Sequence, residues 1–129
     1  MAQNMDGERK DITIRNIAIR GGFWKRYRDL VRDTVIPYQW EALNDRVPDA
    51  PKSCAVKNLK IAAGLAGGSF GGMRFADSDL AKWLEAVSWA LAEKRDPALE
   101  STADEVIEAI GSAQRSDGYF NTYYIIKFF

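Results

Sequence analysis

Four isoleucines open the pattern. Ile12 and Ile14 alternate with polar neighbours, and Ile17 and Ile19 follow after Asn16 shifts the phase. That alternation predicts a short strand over residues 11–20, ended by Gly21-Gly22. A lone strand needs a partner for its backbone groups, and no second strand pattern follows nearby. From residue 23 the spacing becomes helical. Trp24, Tyr27, Val31, Val35 and Tyr38 predict a first helix over residues 23–44, which Pro37 should kink or split. Pro48 and Pro51 mark a loop. A second helix is predicted over 54–65, with Val56, Leu59 and Ala63 on its apolar side. The clearest helix spans 78–94, where Leu80, Trp83, Leu84, Val87, Ala90 and Leu91 step by three and four. Asp77, Ser78 and Asp79 are expected to cap its start. Asp96-Pro97 is a cap followed by a first-turn proline, and opens a helix to about residue 114 on Leu99, Ala103, Val106, Ile107 and Ile110. The last two helices, joined by residues 94–96, form a predicted αα-hairpin.

The pattern therefore predicts an all-α chain with one short N-terminal strand. Residues 1–10 are polar and charged and read as a flexible arm, which leaves residues 11–129 for the folded domain. The C-terminal stretch is unusual, with Tyr119, Phe120, Tyr123, Tyr124, Ile125, Ile126, Phe128 and Phe129 crowded into eleven residues. Termini ordinarily fray in water, so this run reads as a segment cut off from the neighbours that should cover it.

Composition narrows the function. Lysine plus arginine equals aspartate plus glutamate, 18 of each, so nothing in the charge favours nucleic acid or an anionic membrane as a partner. No apolar run is long enough to span a bilayer, and residues 1–10 lack the apolar core of a signal peptide, which together suggest a cytoplasmic protein. Histidine is absent and Cys54 is the single cysteine, so an internal disulfide is excluded and a multi-cysteine zinc site cannot form within the chain. The glycines at 64, 67, 68, 71 and 72 superficially suggest a phosphate loop. They follow a helix instead of a strand and lack the Gly-Lys-Ser/Thr ending, so they read as a flexible connector.

The candidate binding chemistry is aromatic and acidic. Phe75 in a loop can stack on the apolar face of a sugar, or merely plug the helix entry. Asp77 and Asp79 can accept hydrogen bonds from hydroxyls, or cap the helix. They stand too close in sequence to act as two carboxylates roughly 5–10 Å apart across a glycosidic bond. Asp117 lies in a Ser-Asp-Gly turn, and Tyr119 beside it can line a pocket or pack.

Several stretches together carry a family resemblance: Phe23-Trp24-Lys25-Arg26, Val35-Ile36-Pro37-Tyr38-Gln39-Trp40, the run Ala55-Val56-Lys57-Asn58-Leu59-Lys60-Ile61-Ala62-Ala63-Gly64, the run from Phe75 to Ala86, and Gln114 to Thr122. In order and spacing they resemble the start of glycoside hydrolase family 127, the beta-L-arabinofuranosidases. The resemblance implies the N-terminal portion of an (α/α)6 barrel, so that residues 11–129 would be a truncated catalytic domain. It implies retaining hydrolysis of O-glycosyl bonds in an arabinofuranosyl-containing oligosaccharide. The nucleophile is implied to be a zinc-bound cysteine thiolate, with a glutamate as acid/base. No residue of this chain matches those groups or the zinc ligands, Cys54 included, so zinc is expected only in a full-length member and this chain is expected to be inactive alone. Phe75, Asp77, Asp79, Asp117 and Tyr119 are the candidate substrate-binding residues. Phe128-Phe129 departs from the family pattern and suggests an abnormal end. Two other readings remain open at this point: a uronyl-type (α/α)6 hydrolase pairing Asp79 with Asp117, and a small helical binding module.

Overall fold

The computed structural model describes residues 16–129. The arm at 1–10, and Ile12 and Ile14 of the expected strand, lie outside the described residues. Residues 17–20, the described end of that strand, have no regular structure, and no strand occurs among the described residues. The partner whose absence from the pattern was noted above is absent here too, so these backbone groups have no ladder to join.

The body is all-α. Helix α1 (Gly22–Leu30) runs through a π-helical turn (Val31–Val35) into α2 (Ile36–Leu43), followed by α3 (Ala55–Ala62), α4 (Asp77–Glu93), α5 (Pro97–Ala113) and α6 (Thr122–Phe128). The split expected at Pro37 is present, but it falls just before the proline. Pro37 has no N–H to give the carbonyl of Asp33, and its ring would collide with that carbonyl in a regular helix. The chain widens instead, and the Ile36 amide reaches back to the Val31 carbonyl, five residues away.

That one turn corrects the predicted apolar stripe. A constant helical period carries Trp24, Tyr27 and Val31 on to Val35 and Tyr38. A five-residue step carries them to Ile36, then Trp40 and Leu43. The structure takes the second path: Ile36 and Leu43 are buried and Trp40 packs on the core, whereas Tyr38 is exposed.

The core gathers between α2, α3, α4 and α5. Trp83 of α4 is 2% exposed, stacks on Trp40 with ring centroids 4.5 Å apart, and donates its indole N–H to the Ile36 carbonyl at 3.2 Å. Leu80, Trp83 and Val87 carry the buried stripe of α4, and Ala103, Val106, Ala109 and Ala113 that of α5. Ile107, expected inside, faces solvent. Asp96 caps α5 as its sequence suggests, accepting from the Ala98 and Leu99 amides at 3.1 and 3.2 Å. The start of α4 differs from expectation. Ala76 holds the cap position and no side chain caps it, so Asp77, Ser78 and Asp79 do other work.

The C-terminal apolar run, read from the sequence as a segment without its covering neighbours, is helical and only partly covered. Residues 122–128 form α6, which packs on α3. Tyr123 meets Phe70 edge-on at 5.0 Å, while Tyr124, Phe128 and Phe129 stay exposed.

Candidate functional site

Three loops are linked in series around the start of α4: residues 44–54 before α3 lie against the end of 63–76 through Ser53, Cys54, Gly71 and Gly72, and 114–121, between α5 and α6, is tied to the first turn of α4 through Thr122. Each is fixed by a polar side chain that takes hold of backbone. In the first loop, Asp45 Oδ1 accepts the Cys54 amide at 3.0 Å, and the Asp45 carbonyl accepts from Lys52 Nζ at 2.7 Å. Asp45, Asp49 and Cys54 all hold left-handed backbone conformations (φ 61, 59 and 58°). Such conformations are costly for residues with a side chain and gather at functional segments.

The glycine-rich loop is a fitted segment, not a slack connector. Asn58 is completely buried. Its amide nitrogen donates to the Gly71 carbonyl at 2.8 Å, and its oxygen accepts the Gly71 N–H at 3.1 Å. This clasp lays the loop back along α3 against Ser53 and Cys54. At Gly72 the fit excludes any side chain: φ is +71°, and a Cβ would stand 2.6 Å from the Ser53 carbonyl oxygen.

The third loop is held by Asp77. Its two carboxylate oxygens accept the Thr122 amide at 2.8 Å and the Thr122 hydroxyl at 2.7 Å. Within the loop, Asp117 accepts the Tyr119 amide at 3.0 Å, and Gln114 Nε2 donates to the Gly118 carbonyl at 2.7 Å. Asn121 then caps α6 by accepting the Tyr124 amide.

The predicted binding residues share these loops and the first turn of α4, but not one pocket. Phe75 is 63% exposed in the turn before α4, so it does not plug the helix entry. Asp79, paired with Lys82 at 3.2 Å, lines a cleft of about 450 Å³ between α2 and α4 with Gln39, Ser53 and Trp83. Asp117 and Tyr119 line a separate, shallow cleft of about 460 Å³ with Arg115, Tyr124, Phe128 and Phe129. The Arg115 guanidinium lies 3.7 Å over the Phe129 ring. Asp79 and Asp117 therefore line different clefts, which disfavours their pairing as the two carboxylates of a uronyl-type hydrolase. Asp77 lies in the first turn of α4 with both oxygens already engaged by Thr122.

Among the described residues, no group of three or more Cys, Asp or Glu side chains stands together as a metal site would require. The Cys54 sulfur sits close under Gly71, where a Cβ would lie 3.0 Å from it. The described residues do not by themselves assemble a zinc centre.

Perturbed ionisation is found at the opposite end of α4. There α1 is tied to the last turn of α4 by an ion pair between Arg28 and Glu93. The Lys25 ammonium and then the Arg28 guanidinium hold the Asp29 carboxyl at about 2, and Arg32 lowers Asp33. These groups form a surface strap remote from the loops.

Asp45, Asn58 and Thr122 escaped the pattern reading. Asn58 left one signal: a polar residue beside Val56 and Leu59, just ahead of a glycine-rich run. Thr122 left none, because its partner lies 45 residues away.

Comparison with known proteins supplies the context. The family model described as beta-L-arabinofuranosidase, GH127 catalytic domain, matches residues 16–128. A non-reducing end beta-L-arabinofuranosidase from Bifidobacterium longum subsp. longum is 48% identical over a 124-residue alignment. That match takes in 87% of this chain and 19% of the relative. The crystal structure of a GH127 beta-L-arabinofuranosidase from Geobacillus stearothermophilus T6 superposes with a TM-score of 0.84 at 62% identity, covering 87% of this chain and 18% of that one. The chain thus spans about a fifth of the length of these relatives, and it matches the N-terminal part of the solved structure.

Proposed function

The chain belongs to the beta-L-arabinofuranosidases of glycoside hydrolase family 127, and from that membership we propose that it forms the N-terminal wall of an (α/α)6 catalytic barrel. The whole barrel would release arabinofuranosyl units from the non-reducing ends of oligosaccharides with retention of configuration. The reading is carried by one observation. Three loops are fixed around the start of α4, and these loops and its first turn bear an exposed phenylalanine, two accessible carboxylates and a tyrosine. This is the chemistry that holds a sugar: a ring for its apolar face and acceptors for its hydroxyls.

In this proposal Phe75 stacks on a sugar ring, Asp79 accepts hydroxyls in the cleft between α2 and α4, and Asp117 and Tyr119 take hydroxyls in the separate cleft beside α6. They bind and orient. The nucleophilic thiolate, the glutamate acid/base and the zinc that the family uses belong to residues outside this chain. Alone, the chain offers no residue that matches the family's nucleophile or its acid/base.

The test has two arms. The purified chain, supplied with zinc and reductant, should give no turnover of an aryl beta-L-arabinofuranoside above buffer. The Geobacillus stearothermophilus enzyme carrying this chain in place of its matching segment should keep that activity. Turnover by the chain alone, or a folded but inactive chimera, would overturn the reading.

A further inference from the structure

We infer that Asp77 is a positioning residue, which fixes the loop at 114–121 through Thr122 and does not itself touch the saccharide. The inference deepens the proposed function, because this loop carries Asp117 and Tyr119.

The geometry assigns the role. Both Asp77 oxygens are engaged, one by the amide and one by the hydroxyl of Thr122. Asp77 stands in the first turn of α4, where the helix dipole also favours a carboxylate. Thr122 is 1% exposed, so no saccharide reaches it, and its hydroxyl hydrogen bond is spent on Asp77. The bonds inside the loop, Asp117 to Tyr119 and Gln114 to Gly118, shape the turn without attaching it to α4. The hydrogen-bonded attachment runs through Asp77, beside the packing of Phe120 on the core. Asp79, two residues on, has an exposed carboxylate paired with Lys82, and it faces the cleft. The two neighbouring aspartates thus divide the work: one builds the wall and the other presents an acceptor.

Asparagine can stand in for Asp77. Its oxygen accepts the Thr122 amide and its NH₂ donates to the hydroxyl, which rotates to accept. Alanine cannot do either. Thr122→Val removes only the buried hydroxyl.

The experiment is hydrogen exchange on this chain, followed by arabinofuranoside kinetics in the chimera described above. Asp77→Ala and Thr122→Val should each speed exchange across residues 114–126 by about tenfold or more, with the amides of the second half of α4 unchanged. The double variant should be no worse than Asp77→Ala alone, and Asp77→Asn should stay near the unsubstituted chain. In the chimera, Asp77→Ala and Thr122→Val should raise KM with little change in kcat, and Asp77→Asn should restore it. Unchanged exchange in Asp77→Ala would overturn the inference. So would a KM defect in Asp77→Asn as large as in Asp77→Ala while Thr122→Val has none, since Asp77 would then be a sugar ligand. Should Asp77→Ala fail to fold, Thr122→Val and Asp77→Asn decide the matter. An inactive unsubstituted chimera counts against the proposed function alone, because the exchange result stands independently.

Discussion

Helices α1 and α4 look alike as sequences and behave differently as structure. Both carry aromatic and branched residues three and four apart, and both carry charges on the other face. In α4 the stripe of Leu80, Trp83 and Val87 is buried to within a few per cent of complete. In α1 nothing is buried: Phe23, Trp24, Tyr27 and Leu30 are all exposed, and Trp24 keeps 69% of its surface. The helix is held by its polar side, through Arg28 to Glu93 and to the Ile19 carbonyl. Amphipathic spacing reports that a helix has a face to cover. Whether the rest of the chain covers it depends on the packing around it, and among the described residues only one of the two faces is covered.

The largest expected effect tests this contrast directly. Trp83→Ala should destabilise the chain by roughly 3–5 kcal/mol, through lost transfer energy, the cavity left beside Trp40 and the lost indole hydrogen bond to the Ile36 carbonyl. Trp24→Ala should stay within about 0.5 kcal/mol, as for any exposed surface residue. Urea unfolding followed by circular dichroism measures both. Equal losses would mean that α1 is as well packed as α4.

Polar anchors should divide in the same way. Asn58→Ala strands the N–H and carbonyl of Gly71 and should cost roughly 2–4 kcal/mol. Arg28→Ala removes a surface strap and should cost about 0–1 kcal/mol, less at high salt. Parallel denaturation curves at two salt concentrations check the pair. A larger, salt-independent loss for Arg28→Ala would move α1 into the core.

Two glycines sharpen the comparison within the packed body, with opposite signs. Gly72→Ala forces a Cβ to 2.6 Å from the Ser53 carbonyl at positive φ, and should destabilise by about 1–3 kcal/mol. Gly111→Ala adds a methyl group in open space on α5 and should stabilise by about 0.5–1 kcal/mol through helix propensity. Shifts in Tm of opposite sign are the expected outcome.

The smallest effect concerns pH. Asp29 is held at about 2 against 3.8 in a free chain, first by Lys25 and then by Arg28. A carboxyl lowered on folding contributes stability above its unfolded value and loses it as pH falls through the folded one. The pairing of Asp29 with Lys25 and Arg28 should therefore be intact above pH 4 and weaken towards pH 2, with no dependence near neutrality. NMR titration of the Asp29 carboxyl carbon is the check, and a midpoint near 3.8 would mean that these pairs do not form in solution.

How much was legible depended on the range of the interaction involved. Asp96-Pro97 announced the start of α5 because a cap and a first-turn proline act over three residues. The burial of Leu80, Trp83 and Val87 was legible because an unbroken helical period keeps one face in line. In the first helix the same extrapolation failed twice: Trp24, Tyr27 and Val31 find no cover, and a single π-turn then brings Ile36 and Trp40 to the core in place of Val35 and Tyr38. Phe75, Asp79, Asp117 and Tyr119 could be nominated from residue type and loop position. Nothing local indicated that they line separate clefts.

By itself the sequence determined the helical period, the cap of α5, the proline break and the ordered motifs that identify the family, all of which rest on short-range stereochemistry. Tertiary structure alone decided which apolar face finds cover, that Asn58 closes the glycine-rich loop, and that Asp77 serves Thr122 while Asp79 faces a cleft. Those outcomes depend on partners 13 to 47 residues away, and the chain has to fold before such partners come within hydrogen-bonding distance.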